Sequence, residues 1–454
     1  MALTTTQKAG WGLADLGLLT FVMIKQVFIL SFLTNFLGVP IFLAGWTTTS
    51  ILLFDLLTDP LVGGASDRTK SRFGRRAPWM ISGSVAMVGG TIGMFSVPYG
   101  LNEVGNLIWF NVGFAIATVG YTMIAVPYTA MGAEISHSSE DWKGIRGFRV
   151  AFATLGLIIG GILIPYIAND TRDGFAQAAY IVAPIMLFAI WISVVMTRNA
   201  HSVFQPIRVA DQGMFQHVYA NKAFIALVVI YGLMALAVAI IMAGFPFFSI
   251  FLFTNDGTAP MAGFESAIGM LSFMFVALVV GSIISQPIWG LLSKHLGAVI
   301  TLIVSILMFI ALQVTMYVNI PNSNALIIFF LFVFAGAVTT AYRQVPWLIY
   351  PDLIEATQRR TGEQIEGVFQ IAWLFGQRLA YAIAPLVLGA ALGLSNWQTS
   401  LDGIADQSAE TIDTLTFGVT LLPGIFLVIA LFGLIAIYLP LARYELAILR
   451  EGET

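Results

Sequence analysis

Two acidic residues stand four positions apart inside an apolar stretch, Asp55 and Asp59 in the run FDLLTDPLVGGAS. In a helix this spacing places both carboxylates on one face. Such a pair can ligate Na⁺ together with nearby hydroxyl oxygens, or share a proton because like charges oppose each other's ionisation. Alternatively, it forms a structural pair with a buried base. Lys25, in an earlier apolar run, is such a base, and its ammonium would then occupy the place of a cation.

A basic turn follows the acidic pair directly, in the run DRTKSRFGRRAPW. Its cationic residues are Arg68, Lys70, Arg72, Arg75 and Arg76. In one interpretation, Asp67, Arg68, Arg75 and Arg76 form salt bridges between helices and act as a cytoplasmic gate. In the other, the charges only fix the orientation of the chain in a membrane. Both interpretations can hold together.

Further ionisable residues fall inside apolar runs, where a charge is costly and usually faces a cavity or an opposite charge. They are Asp15, Arg149, Arg343 and Arg378. Arg343 and Arg378 would bind an anionic or hydroxyl-rich solute, since a guanidinium offers five donors in a planar fork. Alternatively, they pair with Asp15 or with an acid of the second run. Trp347 and Trp373 would stack on a sugar ring, or serve only in packing and as interface anchors.

The composition is that of a polytopic membrane protein. Of 454 residues, 58% are hydrophobic and 10% charged, against about 25% charged residues in soluble domains, so we expect no nucleic-acid partner. The absence of cysteine excludes disulfides and thiolate metal sites. The histidines lack ligand-like spacing and no glycine-rich phosphate loop occurs. We therefore expect no enzyme and no cofactor, apart from a coupling ion, Na⁺ or H⁺, at Asp55 and Asp59.

Twelve apolar runs are long enough to cross the roughly 30 Å of a bilayer's hydrocarbon core. Their approximate limits are 10–37, 41–66, 78–98, 104–134, 147–169, 176–197, 221–252, 265–292, 297–319, 324–351, 365–393 and 413–441. Connections after even-numbered runs carry most of the Lys and Arg, and only Arg172 breaks this pattern. By the positive-inside rule both termini are cytoplasmic. With no cleavable signal sequence at the N-terminus, we expect a multi-pass protein of a bacterial inner membrane.

A polar connection near the middle of the chain separates six runs from six. Short echoes link the two halves: DPLVGGAS in the second run is answered by QPIWGLLS in the eighth, and VPY in the fourth by VPW in the tenth. Such short matches also arise by chance in apolar sequence. Their equivalent positions favour a parallel repeat of two six-helix bundles, residues 1–197 and 221–454, joined by a cytoplasmic linker, residues 198–220.

Four motifs together point to a known family. They are D-x-x-x-D-P-x-x-G with DRTKSRFGRRAPW after it, GLADLG in the first run, YTMIAVPYTAMGAE in the fourth and TGEQIEGVF before the eleventh. The chain resembles the glycoside-pentoside-hexuronide:cation symporters of the major facilitator superfamily, the melibiose permease-like sugar transporters. The resemblance implies a cation site at Asp55, Thr58, Asp59 and Thr122 and links Arg149 to the substrate cavity. Arg378 falls where the family usually has a lysine near both sites.

The chain also departs from the family pattern at two positions. The residue before VPY, an acid in melibiose permease and commonly asparagine in relatives, is Ala125. The acid that binds the galactosyl group in melibiose permease aligns with Leu19, while Asp15 lies one turn earlier. One carboxylate fewer and the additional ammonium of Lys25 make the cavity more positive. This favours an anionic substrate or proton coupling and argues against galactoside specificity and an unmodified Na⁺ site.

We therefore expect an all-α membrane protein with a major facilitator fold, twelve transmembrane helices in two pseudo-symmetric six-helix bundles. It would be a monomer that carries a sugar, glycoside or sugar acid by alternating access, coupled to a cation or proton. The candidates for substrate binding are Asp15, Lys25, Arg149, Arg343, Trp347, Trp373 and Arg378. Three alternatives remain open: a transporter of a lysolipid-like amphiphile, an uncoupled uniporter or exchanger, and a non-transporting membrane assembly or sensor protein.

Overall fold

Long helices make up the fold. The computed structural model describes residues 3–135, 139–198, 212–253, 269–320, 324–363, 365–401 and 404–445, and no strand occurs within these ranges. The long helices are α1 (Thr5–Asn35), α2 (Ile41–Arg68), α3 (Ala77–Phe95), α4 (Glu103–Ile135), α5 (Ser139–Ile158, continuing to Ala168), α6 (Arg172–Thr197), α7 (Lys222–Phe251), α8 (Met270–Leu296), α9 (Ala298–Asn319), α10 (Ala325–Thr361), α11 (Glu366–Gly393) and α12 (Ala409–Glu445).

Eleven of these helices are both long enough and apolar enough to cross a membrane. The twelfth, α3, has 19 residues, close to the roughly 20 residues that cross a bilayer. The prediction of an all-α membrane fold with twelve long helices is thus confirmed. Of the predicted linker, residues 199–211 lie outside the described part of the chain, and its last nine residues form the short helix Gln212–Ala220.

The chain divides into two compact units. The first comprises Met1–Pro206 together with Asn396–Gln407, and the second comprises Ile207–Ser395 together with Ser408–Thr454. Helices α1 to α6 therefore belong to the first unit and α7 to α12 to the second. The segment Asn396–Gln407 joins the first unit through the end of α1, where the backbone N–H of Ser400 donates to the carbonyl of Thr34 at 3.2 Å.

Glycines set the closest helix contacts in both units. In the first, a Cβ at Gly90 of α3 would collide with the backbone of Ala117 in α4. In the second, a Cβ at Gly281 of α8 would collide with the backbone of Val333 in α10. Small residues let membrane helices approach until their backbones touch, which gains dispersion energy that lipid cannot replace. These two helix pairs are accordingly the most extensively packed in their units.

Among the residues that the structure describes, three helices contain a π-helical turn: Ile24–Phe28 in α1, Ile159–Leu163 in α5 and Gly433–Tyr438 in α12. A π turn fits one more residue into a helical turn and is common at functional sites. The turn in α1 contains Lys25. In α10, a bend at Val345 precedes Pro346, which has no N–H to continue the hydrogen-bond ladder.

Arg172, the basic residue that breaks the charge pattern of the connections, has a structural role at the start of α6. Its side chain is buried, and its guanidinium donates to the carbonyls of Val97 at 3.0 Å and Pro98 at 3.1 Å. It also lies over the ring of Tyr99, 4.4 Å from the centroid. These contacts hold the connection between α3 and α4 against the start of α6.

Candidate functional site

Side chains from three helices of the first unit meet at the carboxylate of Asp55. Its side chain on α2 is only 10% exposed, and Lys25 Nζ of α1 lies 3.4 Å from Oδ2. The hydroxyl of Thr122 on α4 donates to the other oxygen, Oδ1. An ammonium, a carboxylate and a hydroxyl thus form a compact polar cluster within apolar helices, where each group supplies the partner that another needs.

Aromatic rings complete the surroundings of Lys25. Its Nζ lies 4.2 Å from the centroid of the Tyr121 ring and 6.0 Å from that of Phe21. The faces of aromatic rings attract cations, so both rings help to hold the ammonium at this position. The π turn of α1 carries Lys25 at this position.

The other predicted residues of the cation site differ in their placement. Asp59 lies one helical turn beyond Asp55 on α2 and is half-buried. The hydroxyl of Thr58 donates to the backbone carbonyl of Asp55 at 2.8 Å rather than to a carboxylate. Oxygen atoms that could hold a sodium ion therefore come from Asp55, Asp59 and Thr122, and the ammonium of Lys25 lies beside the first of them. The described residues contain no group of three or more His, Cys, Asp or Glu side chains suited to a metal ion.

A second polar cluster in the first unit is centred on Asp15 of α1. Arg149 of α5 binds its carboxylate in a bidentate fork, with Nε 2.6 Å from Oδ2 and Nη2 3.2 Å from Oδ1. The hydroxyl of Tyr128 on α4 donates to Oδ2 at 2.9 Å. Asp15 is 3% exposed, whereas the side chain of Arg149 is 39% exposed. The carboxylate is therefore an internal anchor, and the guanidinium is the part of the pair that a solute can reach.

Close packing between α1 and α5 puts the two partners within reach of each other. A Cβ at Gly12 would stand 2.9 Å from the backbone nitrogen of Arg149. Trp11 then covers the arginine from one side: its ring lies 5.0 Å from Arg149 Cζ and stacks on Tyr128 with centroids 4.7 Å apart. Trp11 and Tyr128 are themselves 2% and 1% exposed, so the two rings pack behind the guanidinium, and Arg149 is the member of this group that a hydroxyl or carboxylate group can reach.

In the second unit, the predicted tryptophans belong to an aromatic cluster. Trp373 of α11 stacks on Tyr231 of α7 and on Tyr350 of α10, with centroids 4.3 Å and 5.1 Å apart. Trp347 meets Trp373 edge to face at 6.0 Å. Because Trp373 is 0% exposed, it packs against protein and offers no ring face to a solute in this conformation. Trp347 is half-buried and keeps part of its ring accessible.

Polar side chains lie beside this aromatic cluster. The hydroxyls of Tyr342 and Tyr381 are 3.1 Å apart, and Gln377 Nε2 donates to the Tyr342 hydroxyl at 3.3 Å. Arg343 is exposed at the end of the first segment of α10, and Arg378 is half-buried in α11. The second unit thus offers hydroxyl, amide and guanidinium groups in one region of α10 and α11.

Only one arginine of the basic turn is buried. Arg76 is 4% exposed, with Nη2 3.3 Å from Asp67 Oδ1, and its Nη1 donates to the carbonyl of Pro127 in α4 at 3.4 Å. Arg68 is exposed and Arg75 is half-buried. Within the first unit, this turn therefore joins the end of α2 to α4, whereas its role as a gate stays a prediction.

Several residues of these clusters were missed by sequence reasoning. Tyr121 and Tyr128 lie seven positions apart on α4, a spacing of two helical turns that places them on one face. Trp11 precedes Asp15 by one turn in the same way. These spacings were visible in the sequence, but nothing in them specified a partner on another helix.

Several known proteins align with the chain over most of its length. An uncharacterized symporter of Synechocystis sp. is 23% identical and aligns with 96% of this chain and 94% of its own. The putative glycoside/cation symporter YagG of Escherichia coli is 24% identical, over 95% of this chain and 92% of its own. The sodium-dependent lysophosphatidylcholine symporter 1 of Xenopus tropicalis is 23% identical, over 86% of this chain and 79% of its own.

Solved structures and the family comparison agree with the fold. A crystal structure of a D-xylose-proton symporter superposes with a TM-score of 0.64 at 13% identity, covering 94% of this chain and 96% of the other. The pattern of the family described as MFS/sugar transport protein matches residues 10–441. The chain therefore belongs to this family, that of the glycoside-pentoside-hexuronide:cation symporters of the major facilitator superfamily, and is a multi-pass membrane transporter rather than an enzyme.

Proposed function

We propose that this chain is a symporter that carries a sugar, a glycoside or a sugar acid, driven by a cation or proton at Asp55 and Asp59. The observation that carries the proposal is the cluster of Lys25, Asp55 and Thr122, which three helices of the first unit assemble inside apolar segments. Ionisable groups in such a place are costly to bury and are most often kept for moving ions or protons.

The Asp15–Arg149 pair supports a carbohydrate or anionic sugar as the substrate. Arg149 is held in a fixed orientation by Asp15 and remains 39% exposed. A guanidinium in this state presents planar donors to a carboxylate or to neighbouring hydroxyls. The buried rings of Trp11 and Tyr128 pack behind this guanidinium, 5.0 Å and 5.6 Å from Arg149 Cζ, and help to fix its position. Arg343, Arg378 and Trp347 are the corresponding candidates in the second unit.

Coupling requires that the ion and the sugar each bind more tightly in the presence of the other. This mutual effect is a free energy shared between two sites and is equal in both directions. In alternating access, the ion then biases the protein toward the state that accepts the sugar, and its gradient drives uptake. Typical couplings of this kind change affinity by about 5- to 150-fold.

A binding screen on the purified protein tests the proposal. Sugars, glycosides and hexuronates are screened for thermal stabilisation with and without Na⁺ at two pH values, and each solute that binds is then tested for uptake into proteoliposomes. We expect the affinity of at least one solute to depend on Na⁺ or pH in the wild type and not in Asp55→Asn. Glu103→Gln, which alters an exposed acid at the start of α4, should behave as the wild type. A solute carried with the same affinity under every ionic condition would establish an uncoupled uniporter or exchanger instead.

One observation favours a second candidate, transport of a lysolipid-like amphiphile. An apolar cavity of about 410 Å³ lies between α9 and α10, lined by Leu312, Ile327, Phe330 and Phe334 among others. Apolar surface of this kind suits an acyl chain, and one of the relatives is a lysophosphatidylcholine symporter. Stabilisation by lysophosphatidylcholine, with every sugar inactive in the same screen, would favour this candidate over the first.

A further inference from the structure

The ammonium group of Lys25 occupies the position that a bound cation would take beside Asp55. Its Nζ lies 3.4 Å from Asp55 Oδ2, with the lysine side chain 12% exposed, and it is 4.2 Å from the ring centroid of Tyr121. The hydroxyl of Thr122 donates to Oδ1 of the same carboxylate. Both oxygens of Asp55 therefore already accept from donors of the chain, whereas a sodium ion needs oxygen lone pairs that point at it.

A sodium ion at this site would also meet the charge of Lys25 at short range. Two unit charges about 4 Å apart, at an effective dielectric constant of about 20, repel strongly enough to lower the affinity for the ion roughly a thousandfold. The ring of Tyr121 and the carboxylate of Asp55 both attract the ammonium, so it is held where the repulsion acts.

We propose that Lys25 is a built-in counter-ion of Asp55, so that this transporter excludes sodium from the site between α1, α2 and α4. The inference rests on the proposed function, in which Asp55 and Asp59 form the coupling site. The ammonium of Lys25 would then supply the positive charge beside Asp55 that a bound sodium ion would otherwise supply.

Direct sodium binding to the purified full-length protein tests the proposal without any solute. Binding of radioactive ²²Na⁺ is measured at constant ionic strength, with choline replacing sodium. We expect no saturable binding in the wild type, saturable binding in Lys25→Met with a gain of roughly a thousandfold in affinity, and none in Lys25→Arg, which keeps the charge. Lys8→Met is the matched control, since it removes a lysine that pairs with Asp141 at 2.8 Å elsewhere in the same unit.

Two outcomes of the sodium measurements would decide against the proposal. Saturable ²²Na⁺ binding to the wild type that Asp55→Asn abolishes would overturn the proposal, as would a folded Lys25→Met that binds no sodium. If Lys25→Met does not fold, Lys25→Gln replaces it, and the wild-type titration stands without either variant. A protein that meets these expectations but carries no sugar would refute the proposed substrate and leave the role of Lys25 intact.

Discussion

The two partners of the Asp15–Arg149 ion pair should differ in what their removal does to stability. Arg149→Gln takes the cation away from a carboxylate that is 3% exposed, which leaves only the Tyr128 hydroxyl as a partner. Breaking a buried pair in this way costs about 3–5 kcal/mol. Asp15→Asn instead leaves a guanidinium that is 39% exposed, so water can hydrate it and the loss is about 1–2 kcal/mol.

The expected difference of about 2 kcal/mol corresponds to a factor of roughly 30 in the unfolding equilibrium. Unfolding of the purified variants in mixed micelles, followed by tryptophan fluorescence, measures it. The double variant Asp15→Asn, Arg149→Gln should be more stable than Arg149→Gln alone, because it leaves no charge behind. Equal losses in the two single variants, or a larger loss in Asp15→Asn, would refute the assignment of Asp15 as the internal anchor.

Two further substitutions test the packing of the first unit, again by unfolding in mixed micelles. Gly90→Ala should lower the free energy of unfolding by about 1–3 kcal/mol, because its Cβ would collide with the backbone of Ala117. The control Gly89→Ala, whose Cβ would meet nothing within 4 Å, should have little effect. Equal losses of stability in the two variants would contradict the close contact of α3 and α4. Arg172→Lys should lose about 1–2 kcal/mol, because an ammonium cannot reproduce the guanidinium's bonds to two carbonyls. Unchanged stability would show that charge alone suffices there.

The twelve helices could be predicted from the sequence because the bilayer dictates both their length and their apolar composition. The polar residues inside them could be singled out for the same reason, since a charge in an apolar run is conspicuous. Asp55 and Lys25 were recognised in this way, and their pairing was one of the interpretations considered. The structure adds Thr122 as the third member of the cluster, a position that the family resemblance had indicated.

Pairings over long separations in sequence could not be derived in the same way. Asp15 was considered as a partner for arginines of the second half, yet it binds Arg149, which is 134 positions away on α5. Helical periodicity gives the face on which a residue lies but not the helix that the face will meet. The π turn that carries Lys25 has no sequence signal of its own, and the complete burial of Trp373 depends on Tyr231 and Tyr350 from two other helices.

The glycines between α3 and α4 also bear on how the first unit can move. A Cβ at Gly83, Gly90, Gly113 or Gly120 would collide with the facing helix, so the two helices touch at several levels along their length. Contacts packed this closely do not deform continuously. A conformational change of the first unit therefore carries α3 and α4 together as one rigid pair.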